Sequence, residues 1–434
     1  MIPTATTKVC DHAKLTLEPS SYAAQAGFTW PSEEKRAAAA TPQGRTSSTL
    51  SAPTITAFPA PLVLPEDELA LDPKYPVQSL RSWIRLKDRN HVSKDRGTIY
   101  VIEPPSVDPK AKDIQSWIRP ANLTASSEHE APKTQEVIDY LAAFYHGMSV
   151  KKLPVQLAYT TWEDKKARRG SPSGYIGLNI GSECVRIRAR VSKNTGIMFQ
   201  KQLNLDDLLD AAISLLPSDA YALLLLVSHD IYESDDDDFA CGRAYGGSRV
   251  AVVSMARYNP ILDEEHNVDG EHAWPASHCE EFIRSCASEP PKKRKKQMKN
   301  SPMENGDCFG PMYAALKACC DLPLLPSDPS PSGLWLARVC RTASHELGHC
   351  FGIDHCAYYA CSMQGTASLG EDARQPPYIC PVDLAKVLRA CNTTAELRYR
   401  ALLEYCERYQ DVRHFRAFAG WIREILFTQY AVPN

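Results

Sequence analysis

Apolar and polar positions follow two different periods along the chain, and the two periods predict strands and helices. Short β-branched or apolar runs predict strands at 97–102, 154–160, 175–180, 185–191, 221–227 and 249–256. Apolar residues at helical spacing predict helices from Thr134 to a stop at Gly147, and at about 205–216, 309–320, 333–350, 382–391, 395–410 and 412–428. Tyr221–Val227 is apolar on both faces, which is typical of a central, fully covered strand.

Strands and helices alternate first, and helices alone follow. This order predicts an α+β fold, with a mixed β-sheet covered by helices and a smaller, mainly helical C-terminal part. We accordingly divide the chain into an N-terminal arm (1–70), an upper subdomain (71–355) and a C-terminal subdomain (356–434).

Two segments lack apolar periodicity. Residues 1–70 are rich in Ala, Ser, Thr and Pro, so we expect a mostly disordered arm with a local helix near 32–40. Residues of about 259–306 are rich in Asp, Glu, His, Pro and Lys, and we expect a disordered insertion in a loop of the upper subdomain.

Composition excludes some classes of protein. The 434 residues carry a formal net charge of -3, which argues against a protein wrapped around nucleic acid. The longest apolar run is far shorter than the roughly 20 residues needed to cross a bilayer, so we expect no membrane span. The N-terminus lacks the features of a secretory signal, so we expect a cytoplasmic or nuclear protein that is not secreted. In that compartment its 15 cysteines indicate metal ligation or buried small side chains before disulfides.

The segment His345-Glu-Leu-Gly-His349-Cys-Phe-Gly-Ile-Asp-His355 carries the candidate chemistry. Residues four apart on a helix lie about 40° apart around the axis, so His345 and His349 present two imidazoles to one metal ion. Gly352 can adopt the positive φ that ends the helix and returns His355 as a third ligand. Three histidines leave one zinc position open for water, and Glu346 is placed to take a proton from that water. The segment therefore predicts a catalytic zinc site.

Cysteines extend this motif: Cys356 follows the third histidine, and Cys361, Met363 and Cys380 come later. In this order of residues the chain resembles the archaemetzincin family, from the strand at 97 to the last helix. The resemblance implies a compact metzincin-like zincin fold, with a backing helix and an active-site helix at about 333–350, and a methionine turn at Met363. It also implies a second, structural zinc held by four cysteines.

The chain departs from the family pattern at the fourth cysteine, where Asp383 stands instead. A carboxylate can ligate zinc but gives up a strong thiolate bond. Cys391, about 12 Å further along a helix, is a poor substitute. We therefore expect a second zinc bound by Cys356, Cys361 and Cys380, with Asp383 or water as the fourth ligand, against the alternative of three reduced buried cysteines.

These features predict a zinc-dependent metallopeptidase with Glu346 as general base, acting on a peptide or protein substrate in extended conformation. The resemblance leans toward aminopeptidase-like action on short peptides. The strand at 249–256 is a candidate edge strand for pairing with such a substrate, or an ordinary sheet strand. The alternative function is a catalytically weak, zinc-stabilised binding or adaptor protein, which has no need for Glu346.

Two charged runs each allow two interpretations. Asp235–Asp238 is either a solvated loop or a selector for basic substrates, and the basic run at 292–296 is either a nuclear import signal or a solvated stretch.

Overall fold

The fold is known from a computed structural model, which describes residues 12, 14–46, 54–120, 129–162, 174–193, 198–287, 309–320 and 330–430. The described helices are α1 (Ser21–Ala26), α2 (Glu33–Ala39), α3 (Glu68–Leu71), α4 (Leu80–Ile84), α5 (Lys112–Ser116), α6 (Thr134–Phe144), α7 (Leu205–Ser214), α8 (Glu280–Ala287), α9 (Pro311–Cys320), α10 (Ser330–Cys350), α11 (Leu369–Ala373), α12 (Pro381–Cys391), α13 (Ala395–Glu407) and α14 (Arg413–Tyr430). The described strands are β1 (Thr98–Ile102), β2 (Ser106–Val107), β3 (Ser149–Lys152), β4 (Leu157–Thr161), β5 (Tyr175–Ile180), β6 (Glu183–Val191), β7 (Lys201–Asn204), β8 (Ala220–Val227), β9 (Ile231–Tyr232), β10 (Gly242–Tyr245) and β11 (Val250–Ser254).

The first sheet has five strands in the order β10-β11-β8-β1-β3. Four of them are parallel, and the edge strand β10 runs antiparallel to β11. The second sheet has six strands in the order β2-β4-β5-β6-β7-β9 and is mostly antiparallel. The predicted mixed α/β architecture is therefore confirmed.

Strand β8 lies at the centre of the first sheet, and all eight of its residues are buried. Its side chains alternate between two hydrophobic cores, as the period of two along a strand requires. Leu224 and Leu226 face the core shared with α6 and α10, whereas Leu223 and Leu225 face the core shared with α7 and the second sheet. The apolar run at 221–227 is thus a covered central strand, as predicted.

The C-terminal helices extend the first of these cores. Helix α14 packs against α9 and α13, and α13 packs against α6. Trp421 on α14 stacks on Tyr378 at a ring-centroid distance of 4.4 Å and is fully buried. The three helices predicted after residue 380 are present, with ends that differ from the prediction by a few residues.

The expectation of a mostly disordered arm is wrong for the described part of residues 1–70. The predicted local helix is present as α2, but α1 and the segment at 57–64 are ordered as well. Phe58 packs edge-on against Trp421 at 5.4 Å, and the Trp421 indole donates to the Ala57 carbonyl at 3.1 Å. Burial against elements distant in sequence offsets the entropy of ordering, and local periodicity does not reveal such burial. Residues 1–11, 13 and 47–53 lie outside the described part.

The prediction of a disordered insertion is wrong for its described part, residues 259–287. Residues 259–287 form short 3-10 turns and α8, with Trp274, Cys279 and Ile283 buried. The remainder, 288–306, contains the basic run and lies outside the described residues. The division of the chain at residue 355 stays a prediction.

The candidate edge strand at 249–256 is wrong in its position. This segment forms β11, which lies between β8 and β10 inside the sheet. The edge position belongs to β10, a four-residue strand that begins with Gly242 and follows the acidic run. None of the helices in the described part of the chain combines the length and the apolar character needed to cross a membrane.

Candidate metal and catalytic site

Helix α10 carries the first two histidines of the motif at its C-terminal end. The rings of His345 and His349 lie 4.8 Å apart, and their Nε2 atoms are 3.1 Å apart. Gly352 has the predicted positive φ of 73°, and its N–H donates to the His349 carbonyl at 2.9 Å. The turn brings the His355 ring to 5.2 Å from that of His345 and 5.0 Å from that of His349.

Each of the three rings has its Nδ1 engaged by an acceptor outside the cluster. The Nδ1 of His345 contacts the Ser362 carbonyl at 2.7 Å, and that of His349 contacts the Ile353 carbonyl at 2.7 Å. The Nδ1 of His355 contacts Oε1 of Glu68 at 3.0 Å. Donation from Nδ1 leaves the Nε2 lone pair of each ring for a ligand.

The protonation state of the histidines in this cluster also favours the binding of a cation. Burial lowers the pKa of His349 to about 4 and that of His345 well below its usual value, and the neighbouring histidines lower both further. Neutral imidazoles are the form that binds metal. Three neutral nitrogens whose ligand atoms lie within 4.8 Å of one another therefore suit a zinc-type ion.

Glu346 lies beside the histidines and faces two cavities. One cavity, of about 440 Å³, is lined by Glu346, His345, Phe239 and α11. The other, of about 510 Å³, is lined by Glu346, His349 and Tyr75. Burial raises the pKa of Glu346 to about 8, and the Arg243 guanidinium opposes this shift.

The edge strand β10 borders both cavities through Gly242. A Cβ built on Gly242 would lie 3.1 Å from Cγ of Glu346 and 3.2 Å from its Oε1. Glycine at this position thus lets the strand approach the Glu346 carboxylate closely.

Met363 packs against α10 at Gly348, the residue before His349. A Cβ built on Gly348 would lie 2.5 Å from the Met363 sulfur, so only glycine fits beneath this side chain. The Met363 carbonyl accepts from the Cys356 N–H at 2.8 Å, which ties this turn to the residue after His355. The methionine turn that the family resemblance implies at Met363 stays a prediction.

A second cluster is formed by the three cysteines and Asp383, all buried and with ligand atoms within 4.8 Å of one another. The sulfurs of Cys356 and Cys380 are 3.5 Å apart. Oδ2 of Asp383 lies 3.4 Å from the Cys361 sulfur and 3.5 Å from the Cys380 sulfur. Burial and the charge of Cys356 raise the pKa of Asp383 to about 7, because four acidic groups crowd one dry site. A divalent cation would relieve that repulsion. Cys391 is not part of this cluster.

A chain of hydrogen bonds links the two clusters. The ammonium of Lys386, on the same helix as Asp383, donates to Oδ1 of Asp383 at 2.7 Å and to the Gln78 side chain at 2.8 Å. Gln78 in turn donates to the Gly352 carbonyl at 2.9 Å and to Asp354 at 2.8 Å. Lys386 is 1% exposed, so a buried ammonium holds the aspartate from one side while its other oxygen faces the thiols.

The sequence did not reveal Glu68, Gln78 or Lys386 as site residues. Glu68 belongs to the segment expected to be disordered, and the three residues follow no spacing that a motif could detect. Cys350, next to His349, is buried in the core. Asp237 and Asp238 line the first cavity, next to Phe239.

Known proteins are similar to this chain in the region of the site. A family model described as Peptidase family M54 matches residues 327–389. Archaemetzincin-2 of Homo sapiens is 25% identical over 269 residues, which cover 62% of this chain and 56% of that protein. Archaemetzincin-1 of Homo sapiens is 24% identical over 234 residues, covering 53% of this chain and 38% of that protein. The chain thus spans little more than half the length of archaemetzincin-2 and less than half that of archaemetzincin-1.

Solved structures also match at low similarity. The archaemetzincin of Methanopyrus kandleri is 17% identical, with a TM-score of 0.32, over 69% of this chain and 97% of that one. The archaemetzincin of Archaeoglobus fulgidus, solved with malonate, is 17% identical with a TM-score of 0.30 over 67% of this chain and 99% of that one.

The matched segment contains α10, both histidines on it, His355 and the cysteine cluster. The model of a peptidase family thus matches the segment that holds the histidine cluster. The resemblance to the archaemetzincin family that the sequence indicates is confirmed by these similarities.

Proposed function

We propose that the chain is a zinc-dependent metallopeptidase of the metzincin type, with His345, His349 and His355 holding the catalytic zinc. The observation that carries this proposal is that the three imidazole rings converge on one point. In each ring Nδ1 contacts an oxygen outside the cluster, which leaves Nε2 available to a metal ion. The packing of Met363 against Gly348, next to His349 on α10, supports the metzincin type. When bound, zinc would supply a Lewis acid that acidifies a water molecule and polarises the substrate carbonyl.

Glu346 acts in this proposal as the general base. Its carboxylate lies at the junction of the two cavities, so it can accept a proton from the attacking water and return it to the departing amine. Tyr75, on the wall of the second cavity with its ring 5.8 Å from that of His355, is the candidate donor to the developing oxyanion.

The substrate in this proposal is a peptide in extended conformation. Strand β10 pairs with β11 along one edge, and its other edge borders the cavities. A peptide that added to this edge would pass Glu346 and could occupy both cavities. The family resemblance extends the proposal to aminopeptidase-like action on short peptides, which is tested by comparing cleavage of free and N-acetylated peptides.

We also propose a second, structural zinc at Cys356, Cys361, Cys380 and Asp383. The four groups are buried, and the coordination would be closed by protein ligands, which is the arrangement of a structural site. Lys386 then orients Asp383 as a ligand.

The rival function, a zinc-stabilised adaptor without turnover, leaves two features without a purpose. An adaptor has no need for a buried carboxylate at Glu346 or for a cavity on each side of it. These features favour the peptidase.

The experiment that tests the proposal compares the wild type with Glu346→Gln on a mixed peptide library. We expect cleavage to fall by about 10²–10⁴-fold, because the proton acceptor is lost while the three histidines remain. Glu404→Gln, an exposed change on α13, is the control and should cleave like the wild type. Zinc content should be equal in all three proteins. Zinc binding without any cleavage that depends on Glu346 would leave the adaptor as the better function.

A cytoplasmic or nuclear location is part of the proposal. Deletion of residues 292–296 should shift a fluorescent fusion from the nucleus to the cytosol if the basic run is an import signal, whereas an unchanged distribution removes that role.

A further inference from the structure

A third group of potential metal ligands lies outside the two clusters already described. The ligand atoms of His12, His272 and Cys279 all lie within 4.8 Å of one another. The three residues come from the N-terminal segment and from the turns before α8, neither of which belongs to the matched family segment.

The two imidazoles are arranged as metal ligands are. Nδ1 of His272 lies 2.6 Å from Oδ2 of Asp269, an arrangement that repeats the contact between His355 and Glu68. The His272 ring also stacks on Phe282 at a centroid distance of 4.2 Å, which fixes its plane. These contacts direct the opposite nitrogen, Nε2, toward His12 and Cys279.

Both Nε2 atoms are buried and lack a hydrogen-bond partner among the residues that the structure describes. His272 is only 9% exposed, so water has little access to this atom. A buried polar atom without a hydrogen bond is destabilising, and a pair of them facing a cysteine needs an explanation. A metal ion accepts both lone pairs at once.

Backbone pairing between residues 14–16 and 278–280 keeps the three ligands close to one another. Leu15 forms a bridge with Cys279, the Thr16 N–H donates to the His278 carbonyl at 2.8 Å, and the Glu280 N–H donates to the Lys14 carbonyl at 2.9 Å. His12 lies just before this pairing. A carboxylate stands next to it, because Oε1 of Glu271 is 3.6 Å from Nε2 of His12.

We propose that His12, His272 and Cys279 form a further zinc site, with Glu271 as the fourth ligand. Two imidazoles, one thiolate and one carboxylate are donors that zinc accepts in tetrahedral geometry, and four protein ligands make the site structural. The site fastens His12 and the pairing segment 14–16 to the segment 269–280. That segment also contacts α11, since the backbone N–H of Trp274 donates at 3.0 Å to the carbonyl of Ala373.

Zinc content of the full chain tests this site directly. We expect His12→Ala and Cys279→Ser each to lose one equivalent of zinc relative to the wild type. His91→Ala and Cys184→Ser, which remove an exposed imidazole and an exposed thiol, are the matched controls and should lose none. His12 is at the margin of the fold, so its variant decides the question if Cys279→Ser does not fold. Unchanged zinc content in His12→Ala overturns the proposal.

Trypsin cleavage after Lys14 tests the fastening. Lys14 is exposed, but its backbone pairs with Glu280. We expect the Lys14–Leu15 bond to be cut at least tenfold faster in His12→Ala than in the wild type, as read by intact mass, and His91→Ala to behave like the wild type. Equal rates overturn the fastening. Neither readout involves peptidase activity, so the outcome is independent of whether Glu346 supports catalysis.

Discussion

Glu68 orients the third histidine of the site from 287 positions earlier in the chain. Its carboxylate contacts Nδ1 of His355, and its own backbone N–H donates to Glu371 at 3.0 Å. Gly365 makes room for it, because a Cβ at that position would meet the Glu68 carboxylate. Carboxylates in this position fix the ring and raise its basicity as a ligand.

Replacement of Glu68 should therefore weaken zinc binding without removing a ligand. We expect Glu68→Ala to lower zinc affinity by about 10–100-fold, measured by competition with a chelator. Glu68→Gln keeps an oxygen acceptor for the imidazole and should fall between Ala and the wild type. Glu66→Gln, an exposed change two residues away, is the control. Wild-type affinity in Glu68→Ala would mean that the contact does not orient His355.

The residues that sequence could predict at the site are those whose geometry is local. His345, Glu346 and His349 lie within two turns of one helix, and Gly352 sets the return of His355 within three residues. Asp383 could be singled out because it stands where a cysteine was expected. Glu68, Gln78 and Lys386 meet the site only through tertiary contacts, and no local pattern carries that information.

At the scale of single elements, β10 is one of the short strands that the sequence did not predict, together with β2, β3, β7 and β9. It has four residues, begins with glycine and is only partly buried, so it lacks both the length and the alternation by which strands are detected. Helices α6, α10 and α12–α14 were predicted because each repeats its apolar positions over several turns. The described part of the N-terminal arm was missed because its buried side chains follow no period.

A methyl group at Gly242 should disturb catalysis through the edge strand. The added Cβ of Gly242→Ala would press on Glu346 and also lie 3.0 Å from the Val252 carbonyl. Since a displacement of about 1 Å in a catalytic group can cost about 10²-fold, we expect kcat to fall by that order with zinc content retained. Gly247→Ala, where a Cβ meets nothing within 4 Å, is the control. Wild-type turnover in Gly242→Ala would contradict the assigned place of Glu346 against β10.

Helix α12 brings Asp383 and Lys386 to the cysteine cluster together. We expect Asp383→Ala to lose one equivalent of zinc and to lower the free energy of unfolding by about 3–5 kcal/mol, because it leaves the Lys386 ammonium buried without its partner. Zinc content and urea unfolding measure the two effects.

The matched variant for this test is Asp383→Cys, which supplies a fourth thiolate and should keep the zinc. Full zinc content in Asp383→Ala would show that the aspartate is not a ligand.

At the scale of the whole molecule, buried histidines couple stability to pH. His229 is almost fully buried between the Ile114 carbonyl, 3.2 Å from its Nε2, and the ring of Tyr159, 4.8 Å away. Burial lowers the pKa of His229 from 6.5 to about 4, although the Ile114 carbonyl opposes the shift. Between these values the unfolded chain binds more protons than the folded one, so stability present above pH 6.5 is lost as pH falls toward 4.

We expect His229 alone to contribute a loss of about 2 kcal/mol in the free energy of unfolding between pH 7.5 and pH 5. The measurement is urea unfolding at several pH values in the wild type and in His229→Gln, whose amide can still donate to Ile114. Between these two pH values the free energy of unfolding should fall less in the variant than in the wild type, and the difference should equal that contribution. Equal slopes would mean that His229 does not titrate between the two states.

The contact between Glu68 and His355 has a consequence for the order in which the chain is made. Residues synthesised first generally begin to fold first, and Glu68 is made long before α10. The Glu68 carboxylate therefore cannot contact His355 until residue 355 has left the ribosome. The site can therefore form only after α10 and the turn that follows it have been synthesised, and a nascent chain interrupted anywhere before α10 would carry none of its histidines.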